Sequence, residues 1–284
     1  MSNNYTVKDK VRDTLIRAST VYSKSHKNAV NRYLIQEINS QAIWVLNKIA
    51  ENAEIAEANK LPLCDDTGIP HLFLEIGRER LLSGELISEI QHGVILGLRE
   101  LPGRPMAVKG DEVGRLEQVY GLDEDPGALS MAPLFIQLVD EDVLRLHILM
   151  QGGGPEIRGK TYRIFHQHSL SAIIDEIVKW SLEGAAQLGC TPCTPAIGIG
   201  RTHYEATTLM LQAMAHGDFA IQNNIEQKIT ERLNKSGIGP LGLKGNTTAL
   251  ATFLKVGPQR ASGVRIVCLR LCCIVEPRVA SILL

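Results

Sequence analysis

The sequence carries almost no surplus of charge: 30 lysines and arginines face 31 aspartates and glutamates, leaving −1 over 284 residues. Without a basic field, nothing draws the chain to nucleic acid or to an anionic lipid surface. It also lacks an apolar run long enough to span a bilayer, which argues against a membrane role. The opening residues, MSNNYTVKDKVRD, hold no apolar segment of the kind a secretory signal needs. The expected compartment is the cytoplasm. Cysteine is limited to Cys64, Cys190, Cys193, Cys268, Cys272 and Cys273, and in a reducing compartment these are thiols or metal ligands rather than disulfides. Internal repeats and low-complexity linkers are missing too. What remains is an ordinary soluble globular composition, 44% hydrophobic and 21% charged, long enough for one large domain or two modest ones.

From about residue 5 to 59, apolar residues recur at helical spacing. Ile35, Ile38, Ala42, Val45, Leu46 and Ile49 form one stripe, so the N-terminal region over about 1–60 is expected to be helical. It runs into LPLCDDTGIP, residues 61–70. Pro62 and Pro70 bar regular helix there, and Gly68 permits a sharp turn. A loop this short, pinned at both ends, can set a thiolate and a carboxylate side by side at a sheet edge.

A buried strand is expected at 71–76, a helix over 86–98 ending near Pro102-Gly103, and irregular chain over 104–109. Residues 121–127 read as a polar loop. Residues 134–139 and 143–150, flanking Asp140-Glu-Asp142, predict a β-hairpin. In its second arm Leu144, Leu146, Ile148 and Met150 face one way, Arg145 and His147 the other. The arm delivers the chain into Gln151-Gly-Gly-Gly-Pro155, where bare glycine backbone can approach an anion closely. A helix over 169–188 leads to Cys190-Thr-Pro-Cys193, then to a strand at 196–200. Thr202 is placed to cap the next helix, with Glu205 at the capping-box position. Another helix covers about 221–234, a glycine-rich loop 237–246, and a strand-like run 263–273. The expected fold is mixed α/β (α+β), with helices packed on antiparallel or mixed sheet, over a single domain 1–284.

Among the cysteines, Cys190-x-x-Cys193 has no second such pair and no His pair at zinc-finger distance, so structural zinc has little support. The motif follows a helix and precedes a strand, the reverse of a thioredoxin-type redox arrangement. Cys64, Cys190 and Cys273 instead each sit beside glycine or proline or at an element boundary, far apart in sequence. Three such thiolates would leave one iron of a cubane cluster without a protein ligand, an open position of the kind a Lewis-acid catalyst needs.

Four segments in order, LCDDTGIP, MQGGGPEIRGK, GCTPCTPAIGIGRTHYEATTL and SGIGPLGLKGNTTAL, resemble the α subunit, or N-terminal half, of class I fumarate hydratases and L-tartrate dehydratases. The resemblance covers most of the chain from about residue 30 onward. It implies an oxygen-sensitive 4Fe-4S cluster and a hydro-lyase reaction across a carbon–carbon bond of a small 2-hydroxy dicarboxylic acid. It places the cluster ligands on Cys64, Cys190 and Cys273, with Cys272 the adjacent alternative to the last. It places the catalytic aspartate on Asp66 and substrate contacts on Asp65, Arg104, Gly152, Gly153 and Gly154. Arg104 would grip one carboxylate in a bidentate fork and glycine amides another. Cys193 and Cys268 read as buried thiols, and His166, His168 and His203 as surface or core histidines. The sequence departs from the family at Asp65, where glutamine is usual, and at Lys244-Gly245-Asn246, where Gly-Gly-Lys is usual. No histidine precedes Cys273 over 259–263, and Ile-Val-Glu-Pro-Arg278 follows it instead of an aromatic-then-basic run.

The resembled enzymes carry a second half of roughly two hundred residues that supplies the catalytic base and further cations. The implied partner is therefore a β subunit, in an α2β2-type or homodimeric assembly. The alternative is a non-catalytic cluster- or metal-binding protein on the same scaffold.

Overall fold

The computed structural model describes residues 5–284. The first elements are α1 (Val7–Thr20), α2 (Lys24–Gln36), α3 (Ser40–Asn59), β1 (Ile69–Gly77), α4 (Gly84–Glu100) and α5 (Glu112–Glu117). Next come β2 (Phe135–Val139), β3 (Leu144–Gln151), α6 (Gly153–Glu156), β4 (Lys160–Phe165) and α7 (Leu170–Leu188). The chain closes with β5 (Thr194–Gly200), α8 (His203–His216), α9 (Asn224–Asn234), β6 (Phe253–Val256), β7 (Val264–Cys272) and β8 (Arg278–Leu283). The mixed α/β class is as expected. The described residues form two compact units: up to 21, 55–152 and 278–284 in the first, 22–54 and 153–277 in the second.

The expected helical region is three helices, and its residues 1–4 lie outside the described residues. The single stripe from Ile35 to Ile49 does not exist. The helix breaks after Gln36, where the Glu37 carboxylate accepts from the Ile38 and Asn39 amides at 3.1 and 3.2 Å. Asn39 then accepts from Gln41 and Ala42 to start α3. Ile35 and Ile38 are 85% and 83% exposed, whereas Ala42, Val45, Leu46 and Ile49 are buried.

The first unit has the sheet β2-β1-β3-β8. Its core joins Val11 and Leu15 of α1 and Ile90, Val94 and Leu98 of α4 to Leu72, Leu74, Leu146, Ile148 and Met150 of the sheet. Gly93 and Gly97 lie one turn apart on α4. A Cβ at Gly93 would sit 2.6 Å from Val11 Cβ, so glycine is what lets α1 approach. On the other face of β3, Arg145 Nη1 donates to the buried Glu75 carboxylate at 2.8 Å, with His147 Nε2 3.3 Å from the same group. The expected alternation along β3 holds.

The expected hairpin does not hold. Its two arms are strands, but β1 lies between them, parallel to β2 and antiparallel to β3. The connection crosses the end of β1 at Gly77, whose amide donates to the Val143 carbonyl at 2.7 Å. A Cβ at Gly77 would lie 2.5 Å from the Glu141 carbonyl oxygen. A short polar linker resembles a hairpin turn, and local sequence does not report a strand inserted from sixty residues earlier.

The second unit has the sheet β4-β7-β5-β6. Gly198 of β5 is where α8 packs closest, since a Cβ there would stand 2.0 Å from the Ala206 carbonyl oxygen. Thr202 caps α8 by accepting from the Glu205 amide at 3.1 Å. The expected reciprocal box fails because the Glu205 side chain turns to Arg201, taking its amide and its guanidinium. Strands β4, β6 and β8 escaped the sequence reading; all three are short edge strands of four to six residues.

Candidate active-site loops and cysteines

In the first unit, residues 61–68 leave α3 without regular structure and enter β1, as the two prolines and Gly68 require. Asp66 Oδ1 accepts from the Gly68 amide at 3.1 Å, closing an Asx turn. Thr67 is buried, and its hydroxyl donates to the Arg104 carbonyl at 2.8 Å. A Cβ at Gly103 would lie 2.7 Å from that hydroxyl oxygen, so the 103–105 segment is pressed against the Cys64 loop. The Arg104 guanidinium reaches Asp65 at 3.7 Å, with the two side chains 58% and 84% exposed. An ion pair so open stabilises little and leaves the guanidinium able to exchange partners.

Sequence reading missed the group that holds this loop. Arg278, 2% exposed at the start of β8, donates from Nη1 to the carbonyls of Asp66 and Thr67 at 2.7 and 3.3 Å. Its Nη2 would lie 2.5 Å from a Cβ at Gly68, whose φ is +79°. Cys64 is half-buried, with Sγ 3.5 Å from Asp65 Oδ1. Burial pushes its thiol pKa up; the Asp66 amide and Arg278 pull it down, and Asp65 pushes it up. Ile69 pairs with Gln151 across β1 and β3, which sets Gly152 next in chain beside the loop. Cys64, Asp65, Asp66, Arg104 and Gly152 thus share one neighbourhood.

In the second unit, Gly153 and Gly154 open α6. Arg158 ties Gly154 to the end of α7, donating to the Gly154 and Gln187 carbonyls at 2.9 and 2.7 Å. Three residues beyond Gln187 comes Cys190, exposed. The Ile274 amide donates to the Cys190 carbonyl at 2.9 Å, so Cys190 and Cys273 ride on adjoining backbone. Cys272 lies inside β7 opposite Thr194, fully buried, and its thiol pKa is driven well up, first by burial. Cys273, just past the strand, is 9% exposed. Cys193 is fully buried, with its pKa pushed up to about 12 by burial. Cys268 is buried too, against the Thr161 hydroxyl.

Other members of this region also went unread. Arg270, 2% exposed, pairs with Glu156 of α6 and at 3.2 Å with the fully buried Glu276. Glu37 closes the glycine-rich loop, accepting from the Asn246 amide and Thr247 hydroxyl at 2.9 Å. Thr191, next to Cys190, donates to the Gly239 carbonyl at 2.6 Å and accepts from the Gly242 amide. A charge inside an apolar strand, as Arg270 in RIVCLRLCC, is the one sequence signal that could have marked this network. His166 is buried against the Ser262 carbonyl at 2.7 Å.

Fold and residues define an α/β chain with Cys64 half-buried and Cys190 exposed on loops, and Cys273 buried just past a strand end. Residues 8–282 match the family model for fumarate hydratase (Fumerase), and the chain belongs to that family. A protein of Methanocaldococcus jannaschii, assigned provisionally as an L(+)-tartrate dehydratase subunit alpha, is 31% identical over 85% of this chain and 86% of its own. The L(+)-tartrate dehydratase subunit alpha of Escherichia coli K12 is 24% identical over 80% of this chain and 75% of its own. No helix among the described residues is long and apolar enough to cross a membrane.

Proposed function

We propose that this chain is the cluster-bearing α subunit of a hydro-lyase acting on a small 2-hydroxy dicarboxylic acid of the fumarate/malate or tartrate type, with residues 1–284 serving as one α-type domain. The observation that carries the reading is the Ile274 bridge, which sets two of the three family-matched cysteines, Cys190 and Cys273, on adjoining backbone. The thiols fit a 4Fe-4S cluster: Cys64 and Cys190 lie on loops, Cys273 just past a strand end, and Cys193 and Cys272 are sealed in the core. Cys64, Cys190 and Cys273 would hold the cluster. When bound, a cluster with three thiolate ligands supplies one iron open to substrate as a Lewis acid.

The chain's own residues bind and orient. Arg104 exchanges its loose contact with Asp65 for a bidentate grip on a substrate carboxylate. Backbone amides of Gly152, Gly153 and Gly154 receive a second anionic group. Asp66, oriented by the Gly68 amide at Oδ1, holds or moves a proton for the departing or arriving water. Asp65 sets the charge beside Arg104 and so contributes to substrate choice. A β subunit completes the site with base and cations, in an α2β2-type or homodimeric assembly in the cytoplasm.

The test is anaerobic reconstitution with iron and sulfide. The wild-type chain should bind both and absorb broadly in the visible, and Cys64→Ser, Cys190→Ser and Cys273→Ser should each lower the content. Full occupancy in all three variants would refute the ligand set. Turnover of tartrate, malate and fumarate should be near zero for the loaded chain alone and appear with its β subunit, because each missing acid–base group typically removes about 10²–10⁴-fold. Strong turnover without a partner would refute the two-subunit reading.

A further inference from the structure

The residues just before α2 have no part in the reaction described above, yet Tyr22 reaches the backbone beside two proposed ligands. The Tyr22 hydroxyl donates to the Ile274 carbonyl at 3.2 Å, while the amide of the same residue donates to the Cys190 carbonyl at 2.9 Å. Ile274 is thus gripped on both sides, and Cys273 is its immediate neighbour.

The grip is rigid because Tyr22 is not a free-standing ring. It stacks on His26 with centroids 4.1 Å apart and planes at 25°. His26 stacks on Phe219 at 4.3 Å and 20°, and Phe219 meets Phe253 edge-on at 5.0 Å. Phe253 opens β6, opposite Ala196 of β5. All four rings are buried, so the column fixes the hydroxyl from the sheet outward. Rings in such contact contribute beyond their buried area, and removing the Tyr22 hydroxyl takes a donor from the part-buried Ile274 carbonyl.

We propose that Tyr22, braced by the His26–Phe219 column, is a positioning residue that latches Ile274 and thereby sets the Cys273 thiol and its spacing from Cys190. The inference rests on the cluster reading for its purpose but on the geometry for its existence, and its test separates the two. Tyr22→Phe keeps the stack and removes only the hydroxyl.

Alkylation of the reduced, iron-free full chain with iodoacetamide, followed residue by residue by mass spectrometry, reads the latch without any cluster. Cys273 should react ~tenfold faster in Tyr22→Phe, with Cys64 unchanged as the internal control and the circular dichroism spectrum native. Phe219→Leu, which loosens the column and leaves the hydroxyl, should give a smaller rise at Cys273. After anaerobic reconstitution, Tyr22→Phe should lose iron to a chelator several times faster than wild type. Wild-type reactivity at Cys273 in a folded Tyr22→Phe chain overturns the latch, as does an equal rise at Cys64. A wild-type chain that binds no iron while Cys273 still responds overturns the cluster reading and leaves the latch standing.

Discussion

The two cysteine-bearing regions are built by different means. The Cys64 loop is held by side chains: the Asp66 carboxylate on Gly68, the Thr67 hydroxyl on the Arg104 carbonyl, and the Arg278 guanidinium on two carbonyls. The Cys190 and Cys273 segments add a backbone ladder between β5 and β7, the Ile274 amide and close-packed glycines to the side-chain ties of Thr191 and Tyr22. Thr67 and Arg278 make their ties from buried positions, while Asp65 and Arg104 beside them stay exposed. The ladder at Cys193 and Cys272, both fully buried, makes a stiff mount, while Cys190 beside it is exposed. The difference leaves open polar side chains at the Cys64 loop and a backbone ladder at Cys272.

The sharpest way to break the contrast is a single methyl in the backbone-built region. Gly198→Ala forces a Cβ to 2.0 Å from the Ala206 carbonyl oxygen and should cost about 3 kcal/mol, seen as a lower midpoint in chemical denaturation. A wild-type midpoint would mean that α8 is not seated as tightly as the structure shows. In the side-chain-built region the comparable lesion is Arg278→Met. It strands the Asp66 and Thr67 carbonyls and should cost about 2–3 kcal/mol, with Cys64 becoming the fastest-alkylated thiol. Unchanged Cys64 reactivity would remove Arg278 from the loop's support.

A pH titration sharpens the comparison further. His26, fully buried in the second unit, has its pKa lowered from 6.5 to about 3 by burial, against a weaker upward pull from the Ile274 carbonyl. Its folded pKa is depressed, so between pH 6.5 and 3 the unfolded ring binds a proton that the folded ring refuses. The stability linked to this ring is complete above pH 6.5 and declines below it by about 1.4 kcal/mol per pH unit. His26→Phe should flatten that acid slope by about one proton; an unaltered slope would assign the acid sensitivity elsewhere. The smallest stability effect belongs to Arg104→Lys. Its open side chain should shift stability by less than ~0.5 kcal/mol, while loss of the fork should raise KM in the reconstituted enzyme about tenfold. A large fall in melting temperature would recast Arg104 as structural.

Much of the local structure was legible. Periodicity located α4, α7 and α9, and two prolines with a glycine located the Cys64 loop. The four ordered motifs were enough to point to the family that the whole-chain match establishes. The errors lay where one short signal served two meanings. Asp140-Glu-Asp142 reads as a hairpin turn, yet in the fold it is a crossover past Gly77. Ile35 and Ile38 fit the stripe of α3, but Glu37 spends its carboxylate on the amides that would have continued the helix.

The sequence by itself determined the longer helices, the break at the Cys64 loop and the family, because those follow from spacing and residue chemistry within a few turns of chain. Only the tertiary structure decided that β1 divides the two presumed hairpin arms, that Cys272 is sealed while Cys273 lies at the strand's end, and that Arg278 and Tyr22 hold the cysteine-bearing backbone. Each of those contacts joins residues more than sixty positions apart or depends on one step of strand register. Such pairings are fixed by which packing buries the apolar faces and satisfies the buried carbonyls together, and no local pattern encodes that.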